Sequence, residues 1–505
     1  MVFEPNFKKV MSSIRKHVCT TQSIVELKLP TNESNIDAIY SVGAISSIVS
    51  TEIVGNTINF VGLVDFQTIF QAEKLSALDY TAEFKDKYDC EESLSGDLIV
   101  SSSVIQVDSS IVSGNIRVTA IVETAIDIIE TKEYSVLVDA SSDISYKSYK
   151  DIEYCSYLGK AYEKFDVTND FGIKGASAIY MVTPCVRLGS VEAKDNYILA
   201  SGVVGLDICY TTSDDLSGLK STYREVDFTW EVAFDGLQEE NSIESSVAII
   251  SNEIKVTSVM GEDGIEVSVS LPIEYSGYIF SLSSLKIVDD IYLESNYLSI
   301  TSECMPSICC ISAVSFADNV SGSAEILDTA PFIDDILSTS VNNIVLARNY
   351  IDEGRLVVEG VVSATVVYYT KETGSATSLT IDMPFSVEQK ISATESSVVT
   401  LCISSISAKS RRGKEVEVSG DLHVYADIYN EKESVIISSV SLGEEKAQDE
   451  CSLYIYIVKP EQTVWDIAKE MNVSSDMILE QNPNIKLPLE EGQKLVIYKS
   501  RVLEF

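Results

Sequence analysis

Ten cysteines, two histidines and 77 carboxylates are the side chains from which this 505-residue chain could build chemistry. The histidines, His17 and His423, are too few for most zinc sites and for most imidazole acid–base work. In the stretch around His423 the inward set is Leu422 and Val424, so the imidazole is expected to face solvent. The cysteines (Cys19, Cys90, Cys155, Cys185, Cys209, Cys304, Cys309, Cys310, Cys402 and Cys451) form no CxxC pair and no regular framework. They read as small apolar core residues in a reducing compartment. In SECMPSICCIS the spacing of Cys304, Cys309 and Cys310 suits no familiar metal site, and a redox crosslink is the second reading. Among 77 acidic residues any carboxylate pair is uninformative, although a glycosidase would need two about 5 to 9 Å apart. GxSxG, GxxxxGK[ST] and HExxH are absent from the sequence. These observations point away from an enzyme: no catalytic residue, metal site or cofactor is expected.

The 37 basic residues leave a net charge of −40. A surface of that sign repels phosphate backbones and anionic bilayers, so nucleic acid is not expected as a partner. The 45% apolar content is ample for folded cores. No apolar run approaches the roughly 18 residues of a spanning helix, and the opening MVFEPNFKKVMSSIRKHVCT has no signal-peptide core. No transmembrane segment and a cytosolic setting are therefore expected. Lys8, Lys9, Arg15 and Lys16 against Glu4 make the start locally basic. That segment, taken as a basic arm over residues 1–33, reads as a frayed terminal helix or as a docking arm for an acidic surface.

Three stretches share one grammar: FVGLVDFQTIF around Gly62, ASGVVGLDICY around Gly202 and VEGVVSATVVYY around Gly360. An aromatic follows eight residues after each glycine (Phe70, Tyr210, Tyr368), and a second follows the next polar link (Phe84, Phe228, Phe385). This is the pattern of strand, turn and strand. Farther on, period-2 alternation starts at Ile116, Ile265 and Val416, in each case just after a glycine-bearing turn: SGN, GEDG or RRGK. The positive SRRGK tip at 410–414 reads as a solvated turn or as a docking point. The chain is thus expected to be multidomain and mainly β. Three tandem β-sandwich-like repeats over 34–160, 161–315 and 316–450 abut one another, since no Gly/Ser- or Pro-rich linker separates them.

Near residue 452 the pattern changes to strand (YIYIV), helix (TVWDIAKEMNV), helix (SSDMILEQN) and strand (KLVIYK). Tyr456, Val458, Thr463, Trp465, Ile467, Ala468, Val473, Ser474, Ile478, Asn482, Pro483, Leu489, Gly492, Gln493, Leu495 and Ile497 stand in the register of a LysM domain. Segment 452–499 closely resembles that family, whose fold is a small βααβ unit, and Trp465 is expected in its core. The resemblance implies a shallow groove that binds N-acetylglucosamine polymers such as peptidoglycan. Its walls are the loop carrying Glu461, Gln462 and Thr463 and the loop carrying Asn482, Pro483, Asn484, Glu490 and Glu491. This chain departs from the family there: Glu461-Gln462-Thr463 replaces a Gly-Asp-Thr loop, and Glu490-Glu491 adds charge. The acidic rim favours a protein partner that presents Lys or Arg.

The valine-and-glycine strand at 358–369 resembles the SPOCS domain of spore-coat proteins. Several such units before a C-terminal LysM imply a non-enzymatic spore coat morphogenetic scaffold. The resemblance implies a setting in the mother-cell cytoplasm at the forespore surface and in the spore coat. The implied partners are the coat basement-layer ATPase SpoIVA, other coat proteins, and peptidoglycan or muropeptides.

Overall fold

A computed structural model describes residues 3–29, 36–91, 94–141, 145–212, 218–326, 331–370, 372–391, 396–447 and 453–499. Cys451 and most of the polar link at 213–217 lie outside these. The chain is mainly β, and its strands are antiparallel. Strands β1 (Pro5–Leu29), β2 (Ala38–Val54), β3 (Thr57–Gln71), β4 (Leu75–Asp89), β5 (Asp97–Val112) and β6 (Asn115–Ala140) make two sheets, ordered β1-β6-β5 and β2-β3-β4.

Next come β7 (Ser145–Lys174), β8 (Ala178–Lys194), β9 (Tyr197–Thr211), β10 (Leu219–Ala233), β11 (Ser242–Ile249), β12 (Lys255–Met260) and β13 (Gly264–Leu293). Here β8-β9-β10 is one sheet, while β13 pairs β7 on one edge and β11 and β12 on the other. Finally β14 (Asn296–Glu325), β15 (Asp335–Asp352), β16 (Arg355–Thr370), β17 (Ser375–Lys390), β18 (Ser396–Arg411) and β19 (Glu415–Glu445) form sheets β14-β19-β18 and β15-β16-β17.

The sequence signals acquire physical reasons. Gly62, Gly202 and Gly360 pair directly across the ladder with Phe84, Phe228 and Phe385. A Cβ on these glycines would stand 2.3, 2.5 and 2.6 Å from the respective rings. The ring occupies the space that the glycine leaves, which holds register and shields the backbone. The three turns before the alternating runs also fold as read. Ser113-Gly114 and Arg412-Gly413 turn with positive φ of 52° and 74°, and of 53° and 67°, the twist that tight hairpins favour. Ile116, Val118, Val122, Leu271, Ile273, Val416, Val418 and Leu422 then lie on buried faces.

Residues 5–29 are neither a frayed helix nor a free arm. They form β1, laddered to β6 from Pro5↔Ala140 to Leu29↔Ile116. Three of its basic groups are engaged by carboxylates: Lys9 pairs Glu133 at 2.7 Å, Lys16 pairs Glu130 at 2.6 Å, and Arg15 contacts Asp127 and Glu244.

Where β5, β11 and β18 stop, at Ile129, Phe280 and Tyr429, the long strands continue as two-stranded ribbons. These ribbons pack together. One cluster joins Val136, Ile287, Met305 and Ile436, and another joins Leu137, Ala140, Val288, Ile291, Ile437 and Val440. Arg15 sits at their base, donating to Tyr429 Oη at 2.9 Å. Asp427, 3% exposed, lies alongside and accepts from Ser245 N at 3.3 Å.

Four cysteine assignments change. Cys155 and Cys309 form one disulfide with a Cα separation of 5.5 Å, and Cys185 and Cys402 form another at 6.3 Å. Both link the strands of β7–β13 to those of β14–β19. The pairing was not legible because 154 and 217 residues separate the partners. His423 is also not solvent-facing. It is half-buried, Nε2 lies 2.8 Å from Ser404 Oγ, and burial followed by the charge of Arg187 pushes its pKa down. At the SRRGK tip, Arg411 pairs with Glu417 at 2.5 Å, and Lys414 lies 4.5 Å over the Phe332 ring.

Candidate functional site

The C-terminal head is built from β20 (Leu453–Ile457), α1 (Val464–Met471), α2 (Ser475–Gln481) and β21 (Lys494–Tyr498). Thr463 caps α1 in a reciprocal capping box with Asp466, and Ser474 caps α2 by accepting from Met477 N. The hydrogen bond from Thr463 lowers the Asp466 pKa. Val458, Ile467, Ala468, Val473, Ile478, Leu495 and Ile497 form the buried centre.

Trp465 is only half-buried, so it is not a simple core residue. Its ring packs edge-on at 5.1 Å against Tyr292 of β13, and Nε1 donates to Asp290 at 2.9 Å. Lys469 pairs with the same carboxylate at 2.7 Å, and Tyr292 Oη donates to Val473 O at 2.5 Å. The tip of the β7–β13 ribbon therefore carries the head on the α1 side. Asp290 and Tyr292 were missed in the sequence, where nothing marks a partner 175 residues from Trp465.

The structure brings the two suspected loops together. Val458 N donates to Gln493 O at 2.9 Å and Gly492 N donates to Val458 O at 2.9 Å, which sets the turn of Glu490 and Glu491 beside the strand that leads to Glu461. Glu461 has a φ of 61°, a left-handed conformation that glycine adopts freely and that costs another residue about 1–2 kcal/mol. Glu461, Pro483, Asn484, Glu490 and Glu491 are exposed.

Three of the eight candidates have their side chains committed within the head. Gln462 folds back, its Oε1 accepting from Lys459 N at 3.0 Å and its Nε2 donating to Glu470 at 3.2 Å. Tyr456 Oη also donates to Glu470, at 2.6 Å, and this bond contributes most to lowering that carboxyl's pKa. Thr463 serves the capping box. Asn482 donates to Val496 O at 2.7 Å and accepts from Val496 N at 2.8 Å, while Gln481 does the same for Tyr498. These two amides seal the outer edge of β21 as a third strand would. Of the eight candidates Glu461, Pro483, Asn484, Glu490 and Glu491 stay exposed, and the three acids among them make an acidic lip.

Among the described residues no group of three or more His, Cys, Asp or Glu is arranged to hold a metal ion, and no helix is long and apolar enough to cross a membrane. Residues 456–497 match the family of the LysM domain. Comparisons with curated proteins and with solved structures find no match.

Proposed function

We propose that this chain is a non-enzymatic scaffold of the spore coat morphogenetic (SipL-like) type, with three tandem SPOCS-like β domains carrying a LysM head. The head docks on a basic surface of a protein partner, the coat basement-layer ATPase SpoIVA, at the forespore surface in the mother-cell cytoplasm. The three sheet pairs that share one glycine–aromatic pairing support the tandem reading. The observation that carries the docking reading is the acidic lip: Glu461, Glu490 and Glu491 are exposed on two loops that the backbone bonds of Val458 link, while Gln462 and Asn482 are turned inward. A lip of one sign favours a partner of the other and speeds encounter.

The LysM match supports a second reading, binding of peptidoglycan or another N-acetylglucosamine polymer in the same groove. Two measurements on the full chain separate the readings. Under protein docking, immobilised basement ATPase retains the chain and purified peptidoglycan does not sediment it. Sedimentation with peptidoglycan and no retention on the ATPase would replace the first reading with the second.

A further inference from the structure

Among the described residues no disulfide ties the sheets of β1–β6, since the two that form join β7–β13 to β14–β19. The first unit nevertheless holds two free, half-buried thiols: Cys19 on β1 and Cys90 just past the end of β4.

Both strands are edges, β1 of the sheet β1-β6-β5 and β4 of the sheet β2-β3-β4. Their inward faces share one core that takes in Val25, Leu27, Ala82 and Phe84. Ser23 Oγ donates to Asp86 Oδ2 at 3.1 Å, which fixes the level of one strand against the other. The alternation of burial puts Cys19, Thr21, Ser23 and Val25 on the inward face of β1, and Phe84, Asp86, Tyr88 and Cys90 on that of β4. Counted antiparallel from the Ser23–Asp86 bond, Val25 stands at Phe84 and Leu27 at Ala82. In the other direction Thr21 stands at Tyr88, and Cys19 at Cys90.

The third unit repeats this approach. Gly322 is laddered to Val418 as Leu27 is to Val118. A Cβ on Gly322 would stand 2.9 Å from the Met383 side chain, and Met383 precedes Phe385 by the same interval as Ala82 precedes Phe84. A parallel count would instead set Cys19 at Ala82 and take Cys90 out of reach. Cys19 in fact feels its counterpart: burial first, and then the charge of Cys90, pushes its thiol up to about 11.

We infer that Cys19 and Cys90 are a disulfide pair, closed by a small-molecule disulfide oxidant, that staples β1 to β4 where the two sheets of the first unit meet. Ser23 and Asp86 are short, so the bond between their tips holds the strands near the Cα separation of about 4.4–6.8 Å that a disulfide spans. Each strand is laddered on one side only, so drawing them together breaks no ladder bond. One cysteine thiolate attacks a sulfur of the oxidant and expels its other half. The second thiolate then attacks the mixed disulfide and expels the remaining half. The two cysteines lose two electrons and two protons, which leave on the two thiols released. Burial raises both thiols, so little thiolate is present at neutral pH and the pair closes slowly, as a lasting crosslink more than a fast sensor.

The test is incubation of the folded full chain with excess oxidised glutathione at mildly alkaline pH, alkylation of the remaining thiols, digestion without reduction and mapping by mass spectrometry. The Cys19 and Cys90 peptides are expected to leave the alkylated fraction and to appear joined to each other, with glutathione on neither. The same reaction in urea, where the register is gone, is expected to scatter both cysteines among several partners. The mapping is made on the unaltered chain, so no variant has to fold. Both thiols still alkylated at the end, both stopped as glutathione mixed disulfides, either one joined to another cysteine such as Cys304, or a Cys19–Cys90 link found only in urea would each overturn the inference.

Discussion

At the scale of single residues, the sequence marks position without giving reason. Gly62, Gly202 and Gly360 could be found as anchors because their spacing to two aromatics recurs. That the second aromatic lies over the glycine could not, since residue counts do not fix a cross-strand partner. At Gly360, for example, a Cβ would meet Val345 O at 2.2 Å and the Phe385 ring at 2.6 Å. Gly360→Ala must shift both, and overpacking of this kind costs about 1–3 kcal/mol. Urea denaturation is expected to show a lower midpoint with an unchanged slope, and an unaltered midpoint would contradict the packing described. At the groove, Glu461, Glu490 and Glu491 were legible as exposed loop acids. The inward turns of Gln462 and Asn482 were not, because each amide finds its partners only once the loops have closed.

At the scale of elements, the alternating strands and the two short helices of the head announce themselves by period and caps. The N-terminal strand β1 does not. Its buried positions over the first half, Val10, Ser12 and Ser13, include only one apolar residue, and its whole ladder comes from β6, more than 80 residues away. The seat of the head was hidden for the same reason. Tyr292 is 3% exposed, packs on Trp465 and bonds to Val473 O. Tyr292→Ala removes that ring and its bond at a cost of about 3–5 kcal/mol, most of it falling on the junction. Hydrogen exchange is expected to rise in α1 and α2 while the ladders of β16 and β19 keep their protection. Equal loss of protection throughout would show that the head is not separately seated.

For the whole molecule, the three ribbons and the polar cluster at their base form a common centre that no local pattern reveals. Asp427 lies in it beside Glu244, Arg15, Ser245, Tyr275, Tyr425 and Tyr429. Burial first, and then the charge of Glu244, raises its pKa well above the ordinary value. A raised folded-state pKa favours the folded chain at low pH, and that contribution fades as pH climbs above the unfolded value near about 4. Asp427→Asn keeps the shape without the charge. It is therefore expected to be more stable than the unaltered chain at pH 8 by about 1–3 kcal/mol, with the gap closing toward pH 4. A gap that widens on acidification would contradict the assignment.

The two disulfides join the same strand groups that the ribbons bring together, so covalent and packing links reinforce one contact. On this scaffold the acidic lip is the feature from which function is read. Its most direct test is a calorimetric titration of the full chain with the basement ATPase, alongside Glu461→Lys/Glu490→Lys/Glu491→Lys and with muropeptides as the competing ligand. Docking through the lip predicts saturable protein binding, weakened at least about tenfold by the charge reversal and by added salt, and no heat from muropeptides. Unchanged protein binding in the reversed chain, or saturable muropeptide binding without any to the protein, would contradict it.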